Sequence, residues 1–282
     1  MNIALFSGQG SQYSGMTRDL YESDNSLSVI FDTASDIIGR DIKDICFNAD
    51  ETVLAQTINS QPAIMTASLV CLESAKKKGF EFSGVAGHSL GEYAGMVASG
   101  VVSMEDGFRL IKARAEAMDR CAKENKGAMS AVLKLSAEQI EEVCSSVDGY
   151  VVPVNYNSPQ QTVIAGTAEA VAKATEEFSK LKARVVPLKV ASAFHSKLMQ
   201  PAADEFYEKI KDCVLFKNLE GKYLTLAECL EENKEEHENT IFYVTDEKAQ
   251  SQYINMFKEA GIDAVILTHA IDAPFINQAE QK

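Results

Sequence analysis

The chain has 282 residues, 46% of them hydrophobic and 24% charged, with a formal net charge of −14. That length supports one large domain and a smaller one, and the acidic balance argues against nucleic acid or an anionic membrane surface as partner. No apolar stretch approaches the ~18 residues of a membrane span, and Met1-Asn2-Ile3 carries no basic leader, so the sequence reads as cytoplasmic. Six scattered cysteines (Cys46, Cys71, Cys121, Cys144, Cys213 and Cys229) form no Cys-x-x-Cys pair and read as reduced core thiols rather than disulfides or metal ligands. From Asn218 onward 13 acids face 5 bases, a net −8 against −6 for the first 217 residues. This shift predicts a boundary near 217/218.

In chain order, Ile3–Phe6 predicts a buried strand. The glycine-rich loop Ser7-Gly8-Gln9-Gly10-Ser11-Gln12 follows, then a helix near Ser14–Ser23. Ser60 can cap a helix with Gln61 and Pro62 in its first turn and Gly79 at its end. Val85-Ala86 is a short strand that runs into Gly87-His88-Ser89-Leu90-Gly91, with a helix over Leu90–Ser99 stopped by Gly100. Met104 to about Lys123 is a second helix, apolar at 108, 111, 115 and 118. Strands followed by helices predict an α/β fold with a mainly parallel sheet. Ligands of such sheets gather at the carboxyl ends of the strands, where both glycine-rich loops leave.

Residues 126–190 change rhythm. Ala128–Lys134, Tyr150–Val154, Thr162–Ala165 and Arg184–Val190 are strand-like, and Ala137–Ser146 and Ala168–Leu181 helix-like. That βαββαβ order predicts a ferredoxin-like module inserted in a hydrolase-like large domain formed by 1–125 and 191–217. Residues 218–282 predict a separate βαβα segment: a strand over Thr240–Thr245, a helix from Asp246 to Ala260 ended by Gly261, a strand over Ala264–Thr268 and a last helical stretch from Asp272.

Gly-x-Ser-x-Gly between a strand and a helix is the context that lifts a serine clear of a sheet as a nucleophile. Ser89 is that candidate, with Gly87 and Gly91 allowing strand and helix to crowd around a strained turn. Of the four histidines, His195 falls where a strand pattern gives way to a helix, so a neutral imidazole there could take the Ser89 proton; a histidine satisfied by backbone is the equal alternative. His88 shapes the turn, His237 lies in an acidic solvated run and His269 ends a strand. Arg114 shares the apolar stripe of its helix with Ile111 and Met118. A cation there needs a negative partner, either a buried acid or the free carboxylate of a substrate held by two parallel hydrogen bonds.

These blocks carry a resemblance: Gly8-Gln9-Gly10-Ser11-Gln12, Gln61-Pro62, Gly87-His88-Ser89-Leu90-Gly91-Glu92, Arg114 with Ala117-Met118, Asn155-Tyr156-Asn157-Ser158-Pro159 before Val163-Ile164-Ala165-Gly166, and Ala193-Phe194-His195-Ser196. From Met1 to about Lys217 the chain resembles the malonyl-CoA:acyl carrier protein transacylases of fatty acid biosynthesis. Ser7 departs from the proline usual before Gly-Gln-Gly. The resemblance implies that Ser89 holds malonyl as an ester, that His195 shuttles the proton, and that the backbone N–H groups of Gln9 and Leu90 form the oxyanion hole. It implies that Arg114 pairs with the malonyl carboxylate, and that Gln61, His88, Met118, Asn155, Asn157 and Phe194 line the substrate site, with bulky Phe194 crowding out an α-methyl group. Malonyl-CoA and acyl carrier protein are the implied partners, and no metal or bound organic cofactor is implied.

After Lys217 the sequence departs from that family. Tyr243-Val244-Thr245-Asp246 and Val265-Ile266-Leu267-Thr268-His269 resemble part of the middle domain of the ninety-kilodalton heat-shock chaperones. A histidine base needs a third group to orient it, which the transacylases supply from the region replaced here. Two alternatives stay open: an inactive fusion acting only as an interaction segment, and a general α/β serine hydrolase whose acid, Asp246 or Asp263, precedes His269.

Overall fold

The computed structural model describes residues 2–211, 215–232, 237, 240–267 and 276. It divides into two compact units, Met1–Phe206 and Tyr207–Lys282.

The first unit opens with β1 (Ile3–Phe6), then α1 (Arg18–Ser23), α2 (Ser28–Ile38), α3 (Ile42–Asn48), α4 (Glu51–Ala55) and the long α5 (Thr57–Lys77). β2 (Gly84–Gly87), α6 (Gly91–Ala98) and α7 (Met104–Glu124) complete the part of this unit that precedes the antiparallel sheet. The expected mainly parallel sheet is, among the described residues of this unit, a single parallel pair with Phe6 opposite Gly87. Both glycine-rich loops therefore leave from the same end. Alternation along β1 buries Ala4 and Phe6 and exposes Ile3 and Leu5, so only one face of the pair is covered. The core beneath it is aliphatic and aromatic, with Tyr21, Phe31 and Phe47 meeting edge to face at 5.3–5.5 Å.

Two helix starts in this part of the first unit differ from the sequence expectation. α1 begins at Arg18, four residues after Ser14, because Gly15 and Thr17 both take positive φ (88° and 62°). α5 begins at Thr57, three residues before the expected cap, so Pro62 lies inside it and Ser60 caps nothing. Burial of both residues against the core outweighs the helix hydrogen bond that a proline cannot donate.

The βαββαβ segment consists of β3 (Ala128–Leu133), α8 (Ala137–Ser146), β4 (Val151–Ser158), β5 (Gln161–Gly166), α9 (Ala168–Lys180) and β6 (Arg184–Pro187). Its four strands are antiparallel in the order β4-β5-β3-β6. Helix starts here follow local chemistry: Ser136 and Gln139 form a reciprocal capping box on α8, and the Thr167 hydroxyl caps α9. β6 stops at Pro187, not at Val190, so His195 follows an irregular stretch after an antiparallel strand rather than the end of a parallel one. A short 3₁₀ turn over Lys197–Met199 leads into α10 (Gln200–Ile210), within which the boundary between the units falls.

The second unit is a four-stranded sheet ordered β8-β7-β10-β9. It contains more than the expected βαβα. A hairpin of β7 (Leu215–Asn218) and β8 (Tyr223–Thr225) and a helix α11 (Leu226–Glu232) come first. The boundary read at 217/218 thus falls inside β7. β9 (Phe242–Val244), α12 (Ser251–Ala260) and β10 (Ala264–Ile266) follow, with β9 and β10 parallel. α12 starts five residues later than expected because Asp246 closes a turn, accepting from the N–H groups of Lys248 and Ala249. Gly261 (φ 70°) ends it as expected. His269 and the helical stretch read from Asp272, apart from Ile276, lie outside the described residues.

Candidate active site

The turn from β2 to α6 is built by what it lacks. A Cβ on Gly91 would lie 2.3 Å from the carbonyl oxygen of Phe6, and one on Gly87 would lie 2.2 Å from the amide nitrogen of Glu92. Strand and helix can approach this closely only without side chains at those positions. Gly91→Ala is therefore expected to lower stability by about 3 kcal/mol, since backbone on both sides must move; urea unfolding of the variant checks this through its midpoint.

Ser89 sits at the apex with φ 56°, a left-handed conformation that costs a non-glycine residue about 1–3 kcal/mol. The turn aims its Oγ into a cleft of about 690 Å³. His195 Nε2 stands 3.1 Å from Ser89 Oγ, and Arg114 Nη2 donates to the same oxygen at 3.1 Å. Residues 106 and 25 positions from Ser89 thus converge on one atom. His195 also has a positive φ, 60°. Among the described residues its Nδ1 has no hydrogen-bond partner.

Burial lowers the His195 pKa from the ordinary 6.5, and Arg114 and His88 nearby push it the same way. The imidazole is therefore neutral, and a proton acceptor, at neutral pH. Nucleophilic loading of Ser89 is expected to rise with pH to a plateau whose midpoint lies below 6.5. Arg114→Met should move that midpoint upward, because it removes a positive neighbour. Stopped-flow rates over a pH series measure both.

The Arg114 guanidinium is partly buried and lies 5.7 Å from the ring centre of Tyr93. Burial lowers its pKa, but the group keeps its charge. No carboxylate lies within ion-pair distance of it among the described residues. The structural salt bridge that the sequence left open is absent there, and the cation faces the cleft.

Behind Ser89, the backbone N–H groups of Gln9 and Leu90 have no acceptor among the described residues. The Leu90 N–H is one of the unpaired donors at the start of α6, where the helix dipole favours negative charge. Gly8 packs so tightly on His88 that a Cβ would lie 2.6 Å from the histidine's Nδ1 and carbonyl oxygen. His88 N–H donates to Phe6 O at 2.9 Å, and His88 Nε2 lies 3.3 Å from Asn157 Oδ1. Asn157 in turn donates to Gln161. His88 thus shapes the turn and links it to the β4–β5 sheet. Asn155, Met118 and Phe194 also line the cleft.

Gln61 does not reach the cleft. It is fully buried and donates to Met118 Sδ at 3.3 Å, with its Oε1 lacking a partner among the described residues. Three residues at or behind the cleft were given no role in the sequence. Tyr93 backs Arg114 from the first turn of α6, four positions after Ser89. Gln12 fixes the first loop by accepting from Gly10 N–H at 2.8 Å, and Gln161 extends the His88–Asn157 chain. Spacing from the nucleophile was the signal available for Tyr93; the other two depend on long-range pairing. The acids of the alternative triad are engaged elsewhere, Asp263 with Asn218 at 3.0 Å and Asp246 in its turn.

An alcohol flanked by an imidazole, free amide donors and an uncompensated cation can form an acyl ester and discriminate for an anionic acyl group. Fold and site define a protein of the serine-nucleophile α/β class. The profile of the acyl transferase domain matches residues 4–270, and the chain belongs to that family. The malonyl CoA-acyl carrier protein transacylase of Bacillus subtilis is 39% identical over 213 residues, 74% of this chain and 67% of that protein. Other curated relatives are spanned over 52% and 66% of their length. The crystal structure of MCAT from Streptococcus pneumoniae matches with TM-score 0.68 at 40% identity, over 74% of this chain and 69% of that one. The malonyl CoA-acyl carrier protein transacylase from Clostridium perfringens matches over 99% of this chain and 96% of its own, with TM-score 0.70 and 27% identity. The family match continues past Lys217, where the sequence reading ended it. No described helix is long and apolar enough to cross a membrane.

Proposed function

We propose that this chain is a malonyl-CoA:acyl carrier protein transacylase, which moves malonyl from coenzyme A to the pantetheine thiol of the carrier through an ester on Ser89. The observation that carries the proposal is the cation of Arg114, 3.1 Å from the candidate nucleophile and without a carboxylate partner among the described residues. A hydrolase of neutral esters has no use for it, whereas malonyl brings the missing carboxylate.

In the first half-reaction Ser89 Oγ attacks the thioester carbonyl and gives its proton to His195 Nε2. Negative charge develops on the carbonyl oxygen, toward the N–H groups of Gln9 and Leu90, and one such donor is worth ~3–4 kcal/mol. The tetrahedral intermediate collapses, the C–S bond breaks and His195 returns the proton to the coenzyme A sulfur. In the second half-reaction the carrier thiol loses its proton to His195 and attacks the ester, the acyl C–O bond breaks, and His195 returns the proton to Ser89 Oγ. Arg114 holds the malonyl carboxylate throughout, and Phe194 limits room at the α-carbon. The chemistry calls on no metal or organic cofactor, and the site belongs to the cytoplasm, where carrier and coenzyme A ester meet.

The strand order of the four-stranded antiparallel sheet supports reading residues 126–190 as a ferredoxin-like insert in a hydrolase-like domain. The parallel β9–α12–β10 unit is compatible with the chaperone likeness of the last segment. The test of function is transfer: after brief exposure to malonyl-CoA and desalting, the loaded chain should pass one malonyl group to phosphopantetheinylated carrier and none to carrier lacking the arm. A loaded chain that only hydrolyses overturns the carrier assignment.

A further inference from the structure

Arg114 and His195 have a second side. Beyond them lies a cavity of about 290 Å³, bounded by α7 and the start of α10. Arg114, Met118 and His195 line both this cavity and the main cleft, so they form a partition between two chambers. The rest of the second chamber is chiefly apolar, with Met199, Ala202, Ala203 and Phe206, and among the described residues its lining includes no acid. Phe206 is held edge to face against Tyr93, the ring that also backs Arg114. The chamber therefore pairs a cation that has no ion-pair partner among the described residues with a chiefly apolar wall.

We propose that this chamber binds a short, unbranched aliphatic carboxylate, with the carboxylate on Arg114 and the hydrocarbon along Met118, Met199 and Phe206. Charge complementarity selects an anion, because a neutral guest leaves the guanidinium unpaired. The volume corresponds to roughly ten waters at ~30 Å³ each, room for a chain of about six carbons. Such a ligand takes the same guanidinium that malonyl needs, so it acts as a competitive brake from behind the site. Binding itself goes beyond the transfer reading, and only this competition rests on it.

Titration calorimetry of hexanoate into the full chain, with hexanol as the uncharged control, tests the proposal. One hexanoate should bind per chain, at least about tenfold more tightly than hexanol, and Arg114→Ala should weaken it at least about tenfold. Ala203 is an exposed helix position on the chamber wall. Ala203→Phe, or the gentler Ala203→Met, should weaken hexanoate at least about tenfold while malonyl loading of Ser89 stays within about twofold. Hexanol binding as tightly as hexanoate, no binding by either, or hexanoate binding indifferent to both Ala203 variants would overturn it. Hexanoate binding that persists where the chain takes no malonyl supports the chamber and counts against the transfer reading instead.

Discussion

Arg114→Ala should cut kcat/KM for malonyl-CoA by roughly 30- to 5,000-fold, the equivalent of losing about 2–5 kcal/mol when one partner of a desolvated charge pair is removed. The same variant should use acetyl-CoA at least as well as the parent. The reason lies in the observed surroundings of the guanidinium. Its neighbours include the Ser89 hydroxyl and the Tyr93 ring, and the Glu92 carboxylate acts on it only from beyond ion-pair distance, so a malonyl carboxylate meets a charge with no ion-pair partner among the described residues and an acetyl methyl group meets a desolvated cation. Side-by-side kinetics with the two thioesters measure the effect as a ratio, which a general loss of folded protein would leave unchanged. Equal losses for both substrates would make Arg114 a structural residue.

Ser89→Ala should abolish ester formation and lower turnover by ~10⁶, the scale seen when a nucleophile that works as a unit with its base is removed. His195→Ala should cost nearly as much, and the double variant little more than either alone, because both act in a single proton-coupled attack. Single-turnover rates of malonyl loading check this non-additivity. Multiplying losses would instead mean two independent roles, and the 3.1 Å contact between Oγ and Nε2 would lose its mechanistic meaning.

Much of the catalytic half was legible because its signals are local. The elbow is encoded in five residues, and the close approaches at Gly87 and Gly91 explain why glycine stands there. The capping serine and threonine of the βαββαβ segment fixed its helix starts within a residue. Pro62 misled because proline favours the first turn of a helix, a local preference that burial overrode here. Gln61 misled similarly: the sequence placed it with the site residues, but packing puts it one layer behind, against Met118. The β7–β8 hairpin escaped because strands of four and three residues offer too little alternation to read. Its turn is held by Asn218, whose Oδ1 accepts from the N–H groups of Glu220 and Lys222, and by Gly221 at φ 82°. His195 was found by its spacing before a helix, yet its approach to Ser89 rests on an irregular stretch after Pro187 that no periodicity encodes.

Peptide mapping by mass spectrometry after seconds of exposure to malonyl-CoA tests the central claim most directly. One malonyl ester should form, on Ser89 of the full chain, absent from Ser89→Ala and strongly reduced in Arg114→Ala. Malonyl found on another residue, or a Ser89 that stays unmodified in folded protein, would contradict it.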